Sequence, residues 1–156
     1  MLAAIRPDDW NYALLLHVLG AMLLAGGLAT AVAAEALAWR PSPPAAVLTY
    51  ARVAFRALLV VALPGWILMR VGGQWIASKE GFDGGGDPTW LGIGYATSEG
   101  GGILLLVSIV LAGLGARRLR RTASQASTLS RVAGVLAGLL VLTYVVTVWA
   151  MTTKPG

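Results

Sequence analysis

Residues 12–38 read YALLLHVLGAMLLAGGLATAVAAEALA, and the fold is decided there. Over that whole length only His17 and Glu35 can carry a charge near neutral pH. A bilayer core of ~30 Å takes about 20 predominantly apolar helical residues to cross. Three further stretches of the same character follow at 57–77, 96–116 and 132–151, held apart by short charged segments. The pattern predicts an all-α protein, a four-transmembrane-helix bundle. Composition agrees: 57% of residues are hydrophobic and 12% charged, with a mean hydropathy of +0.74, whereas soluble domains carry about a quarter charged. Four spans consume roughly 85–100 residues, which leaves no room for a separate soluble domain. Residues 1–156 are expected to form one integral membrane domain with a single longer loop at 78–95. The first stretch is expected to stay attached. Asp8 and Asp9 accompany a lone Arg6 before it, and its apolar run exceeds the ~7–15 residues of a cleaved leader.

Charge sets the expected topology. Arg40, Arg52 and Arg56 lie around the first connection, and Arg117, Arg118, Arg120, Arg121 and Arg131 around the third. Asp8, Asp9, Lys79, Glu80, Asp83, Asp87 and Glu99 fall on the opposite side. The excess of arginine near short loops places those two connections in the cytoplasm and both termini outside, in a bacterial inner membrane. The net charge of +5 therefore reflects topology and contact with anionic lipid, Arg117, Arg118, Arg120 and Arg121 being the dense cluster. Nucleic acid is not expected as a partner, because the cluster has no aromatic or polar readers. Trp10, Trp39, Trp75, Trp90 and Trp149 sit at span ends, where interfacial anchors belong. With no cysteine, disulfides and thiolate metal sites are excluded.

Packing signals are small residues. Gly134 and Gly138 make a GxxxG pair, and the first span carries Gly20, Gly26, Gly27, Ala29 and Ala33. Such residues let helix backbones approach closely. They point to packing within the bundle, to self-association, or to docking on another membrane subunit. Pro64-Gly65 is expected to break the second helix locally.

Few residues can carry chemistry. Arg56 and Arg70 are 14 residues apart, about 21 Å along a helix, so both cannot lie comfortably outside a ~30 Å core. Arg70 is expected to meet Glu99, and His17 and Gln74 to join them in an outward-facing polar cluster. Glu35 is expected to pair with Arg52 or Arg56, which share a helical face. His17 reads either as a metal or haem ligand or proton carrier, or as a histidine hydrogen-bonded across helices. A haem between two histidines is excluded, since the chain has one. No P-loop, G-x-S-x-G or H-E-x-x-H pattern occurs, and the chain is not expected to be an enzyme.

The run Leu16-His17-Val18-Leu19-Gly20-Ala21, followed by Gly26-Gly27-Leu28, resembles the first span of bacterial copper-resistance D-like membrane domains. It also resembles a group of small four-span bacterial membrane proteins without an assigned activity. Arg52-Val53-Ala54-Phe55-Arg56 leading to Pro64-Gly65 is similar to their second span. The first resemblance implies metal handling with His17 as the residue carried over; the second implies a fold alone. Three functions follow as expectations. The first is an accessory, non-catalytic subunit of a larger membrane complex, respiratory or photosynthetic. The second is a small oligomeric transporter using His17, Arg70, Glu99 and Glu35. The third is a protein binding copper or haem through His17. Expected partners are lipids and other membrane subunits, or a second copy.

Overall fold

The computed structural model of the chain describes residues 11–81, 89–122 and 127–153, which are helical throughout except at two turns. In order they form α1 (Asn11–Ala38), α2 (Pro44–Arg56), a π-helical turn (Ala57–Ala62), α3 (Leu63–Lys79), α4 (Thr89–Thr122) and α5 (Thr128–Thr153). Since α2, the π turn and α3 run on without interruption, there are four rods, each long and apolar enough to cross a membrane. No strand occurs among the described residues. Asp8, Asp9, Trp10, the 82–88 stretch and Lys154 lie outside them.

The helices outrun the apolar stretches. The second rod begins at Pro44, not at 57, and α4 begins at Thr89 and continues through the arginine cluster. Hydropathy marks where a chain is apolar, but helix formation also follows from residues such as Ala, Leu and Arg that favour it in water. Proline at the first helical position gives up no hydrogen bond, so Pro44 opens α2 directly. The helix is amphipathic: Val47, Ala51 and Ala54 are buried while Arg52 and Arg56 face outward. The expected loop at 78–95 is correspondingly shorter, because 89–95 forms the first turns of α4 and buries Leu91.

α1 packs on α3 along one side and α5 along another, while α4 closes the ring against α5 and α2. The α1–α3 seam is built on absent side chains. A Cβ on Gly20 would stand 2.2 Å from the Met69 backbone nitrogen, one on Gly65 2.5 Å from that of Leu24, and one on Gly72 2.5 Å from that of His17. Gly27 abuts Ala62 in the same way. Backbone thus meets backbone, where close dispersion contact holds helices together in lipid. Gly134 presses on the Glu35 side chain, with a Cβ position 2.8 Å from that of Glu35. Gly26 and Gly138, expected in the packing set, would meet nothing within 4 Å. They point away from the seams, because the GxxxG spacing fixes which residues share a face and not which face is covered. At mid-height Leu24, Leu28, Leu58, Leu105 and Leu140 form a fully buried layer.

The expected break at Pro64 occurs one turn earlier. Its ring has no N–H and would crowd the carbonyl four residues before it. The chain widens into the π turn over Ala57–Ala62, and α3 restarts with Pro64 in its first turn. Trp39, Trp75 and Trp149 are exposed at rod ends, whereas Trp66 turns inward and donates its indole N–H to the Ser98 carbonyl at 2.9 Å.

Candidate functional site

The rods carry unlike ends. One holds His17, Arg70 and Glu99; the other holds Arg40, Arg52 and the Arg117–Arg121 cluster. At the His17 end, α1 and α3 diverge from α4 and α5 around a cavity of about 690 Å³. Gly72 and Gly73 position His17: the first lets α1 approach, and a Cβ on the second would stand 2.9 Å from His17 Nδ1. The imidazole then hydrogen-bonds the Met69 carbonyl through Nδ1 at 2.8 Å. A carbonyl only accepts, so Nδ1 carries the proton, and in the neutral ring Nε2 is left as an acceptor. This is the expected bond across helices, made to backbone and not to Arg70, Gln74 or Glu99.

The other three do assemble. Arg70 donates to Gln74 Oε1 at 2.7 Å and to Glu99 Oε1 at 3.1 Å, and stands 5.4 Å from the centre of the Tyr95 ring. The ion pair is partly open to solvent, with Arg70 27% and Glu99 67% exposed, so its direct contribution to stability is at most about 1 kcal/mol. Its larger effect is electrostatic: it sets a positive group on the cavity wall with a negative group just outside it. His17, Arg70, Gln74 and Tyr95 border the cavity; Glu99 stands outside its lining. Thr97 and Thr147 join α4 to α5 by a 3.0 Å hydrogen bond on the same wall. The buried hydroxyls of Ser98 and Tyr144 also border it, and neither has a partner among the described residues. Lower down the lining turns apolar, through Ala21, Leu24, Ala25 and Val141 to Leu28.

The second predicted cluster does not form. Glu35 is 2% exposed and accepts a 2.6 Å hydrogen bond from Ser130 on α5, while its other oxygen is unpartnered. Arg52 and Arg56 point out of the bundle and away from it. Helical spacing correctly gave the two arginines a common face, but α1 meets the opposite face of α2, where Ala51 and Ala54 lie. Arg117, Arg118, Arg120 and Arg121 are exposed on the last turns of α4.

Met22, Met69 and Met151 line the cavity along with His17. Among the described residues no three His, Cys, Asp or Glu side chains come together, and Met22 is 68% exposed on the outer face.

Compared with models of protein families, with curated proteins and with solved structures, the chain matches none. The arrangement must therefore speak through its own geometry.

Several of its members were not foreseen. Tyr95, Ser98, Tyr144 and Ser130 are common residues in apolar surroundings and gave no signal. Gly72 and Gly73 did give one, an adjacent pair seven residues beyond Gly65.

Proposed function

We propose that this protein is a non-catalytic, multi-pass membrane subunit that holds a neutral amphiphile in the cavity at its His17 end. One observation carries the reading: a single cavity with a polar cap and an apolar body. At about 690 Å³ it falls within the ~300–1,000 Å³ of small-molecule sites. Its mouth lies between α1 and α5, since Val18 and Met22 on one helix and Val145 and Val148 on the other both line it and are exposed. Such a molecule enters sideways from the bilayer. Its apolar chain lies toward Leu28, and its head meets Arg70 and Gln74 as donors and His17 Nε2 as an acceptor. Because Arg70 is already paired with Glu99, a carbonyl- or hydroxyl-bearing head suits the site better than a carboxylate.

The test is binding of decylubiquinone, as a neutral carbonyl-headed probe, against oleate, as an anionic one, to the delipidated protein in detergent. Decylubiquinone is expected to saturate at one molecule per chain. Ala21→Phe, which fills the cavity, should weaken it about tenfold or more, and Arg70→Gln should weaken it severalfold. Preference for oleate would overturn the neutral head. Binding indifferent to both substitutions would overturn the site.

A transport path from His17 to Glu35 would have to cross the buried layer of Leu24, Leu28, Leu105 and Leu140, so the cavity supports retention and not passage. Assembly into a larger complex has separate support on α1. Ala25, Gly26, Ala29 and Ala33 lie along an exposed face of α1. Glycine in a helix costs about 1 kcal/mol relative to alanine, and facing lipid returns nothing for it. Facing another helix does, through close approach. Gly26→Leu is expected to keep the fold, because a Cβ there meets nothing within 4 Å. It should release partner subunits from mild-detergent preparations, a result read by mass spectrometry of the purified peak. Unchanged co-purification would place the contact elsewhere.

A further inference from the structure

The opposite end of the bundle carries a second recess, independent of the first. A groove of about 710 Å³ lies between α2 and α4. Arg52 reaches it from α2 and Arg117, Arg120 and Arg121 from the last turns of α4. All four are exposed, and none makes an ion pair among the described residues. Below them the wall changes character to Phe55, Ile109, Val110 and Leu114, of which Val110 and Leu114 open onto the outer face. Gly113 sets the shape: a Cβ there would be 3.0 Å from the Phe55 ring, so its absence lets the ring lie against the α4 backbone and form the floor.

The sequence alone shows four arginines within the five residues 117–121 of one segment. What the fold adds is Arg52 from a different rod, facing them across an apolar floor. Guanidinium groups take phosphate oxygens in paired hydrogen bonds, and basic recesses between membrane helices are suited to anionic lipid heads. Four cations exceed what a single phosphate can satisfy.

We infer that this groove is a specific site for an anionic glycerophospholipid, whose phosphate groups lie among Arg52, Arg117, Arg120 and Arg121 and whose acyl chains run down Phe55, Val110 and Leu114. A head with two phosphates fits four guanidiniums best, so cardiolipin is expected to bind more tightly than phosphatidylglycerol, and phosphatidylcholine least.

The experiment is titration of the purified full-length protein with each of the three lipids in turn, read by native mass spectrometry. An arginine at the lipid head contributes about 1 kcal/mol, a factor of about five, so Arg52→Gln with Arg120→Gln, both in the groove, should weaken cardiolipin about 25-fold. Arg40→Gln with Arg131→Gln removes the same charge outside the groove and should change it less than about twofold. Equal losses in the two double variants would show diffuse attraction to a basic surface and overturn the site. So would equal affinity for cardiolipin and phosphatidylcholine. All four positions are exposed and none is in the core, so the variants are expected to fold, which far-ultraviolet circular dichroism checks directly.

Discussion

Gly65→Val is expected to destabilise the bundle strongly, as a substitution at any glycine of the α1–α3 seam should. The Cβ alone would sit 2.5 Å from the Leu24 backbone nitrogen and 2.9 Å from the Gly20 carbonyl oxygen. Neither can move as a side-chain end would; α1 and α3 have to separate along their length. Overpacking a seam usually costs ~1–3 kcal/mol and occasionally more. Where the obstacle is the backbone of a second helix, the upper end applies, and a loss of ~3 kcal/mol is expected. Thermal unfolding in mild detergent reads it, with Gly26→Leu as the reference that adds a larger side chain to a glycine of α1 at no such contact. A Gly65→Val protein as stable as that reference would mean that α1 and α3 do not meet there.

The second large effect concerns Glu35, the one buried carboxyl among the described residues. Ser130→Val removes the only hydrogen-bond donor that Glu35 has among the described residues, in a place 2% open to solvent. A buried polar group left without a partner costs ~1–3 kcal/mol. The loss has a distinctive cure. Removing both partners in favour of apolar groups of similar shape is close to neutral, so Glu35→Met together with Ser130→Val should be more stable than Ser130→Val alone. Unfolding of the two proteins under one set of conditions decides it. If the double variant is the weaker, Glu35 contributes something other than its bond to Ser130.

How much of this was legible follows from what each signal measures. Hydropathy found all four rods because crossing a bilayer demands a long apolar run and nothing else in the chain resembles one. It misjudged their ends, since Pro44 and Thr89 start helices well before the long apolar runs begin. The Arg70–Glu99 pair could be foreseen because two ionisable groups near the same depth have few other partners. Glu35 could not be assigned in the same way: distance along α1 fixes its depth, but only the rotation of α1 decides whether it meets Arg52 or Ser130. The glycines teach a related lesson. Gly26 and Gly27 are adjacent in sequence and opposite in role. The packing positions were marked by a seven-residue period, Ala13, Gly20, Gly27 and Ala34, all buried on α1, answered by Gly65 and Gly72 on α3. Clustering drew the eye to Gly26, whereas the period points past it to Gly72. The cavity itself had no signature at all, because a void belongs to the divergence of four helices and not to any one of them.

The π turn at Ala57–Ala62 divides the second rod. Above it, α3 is clamped to α1 by Gly65 and Gly72 and supplies Met69, Arg70 and Gly73 to the cavity. Below it, α2 supplies Arg52 and Phe55 to the arginine groove. One rod therefore forms a wall of both recesses, with its single irregular turn between them. Because α2, the π turn and α3 are one continuous rod that also packs on α1 on both sides of the turn, groove and cavity share a wall whose two halves differ in direction only at that turn.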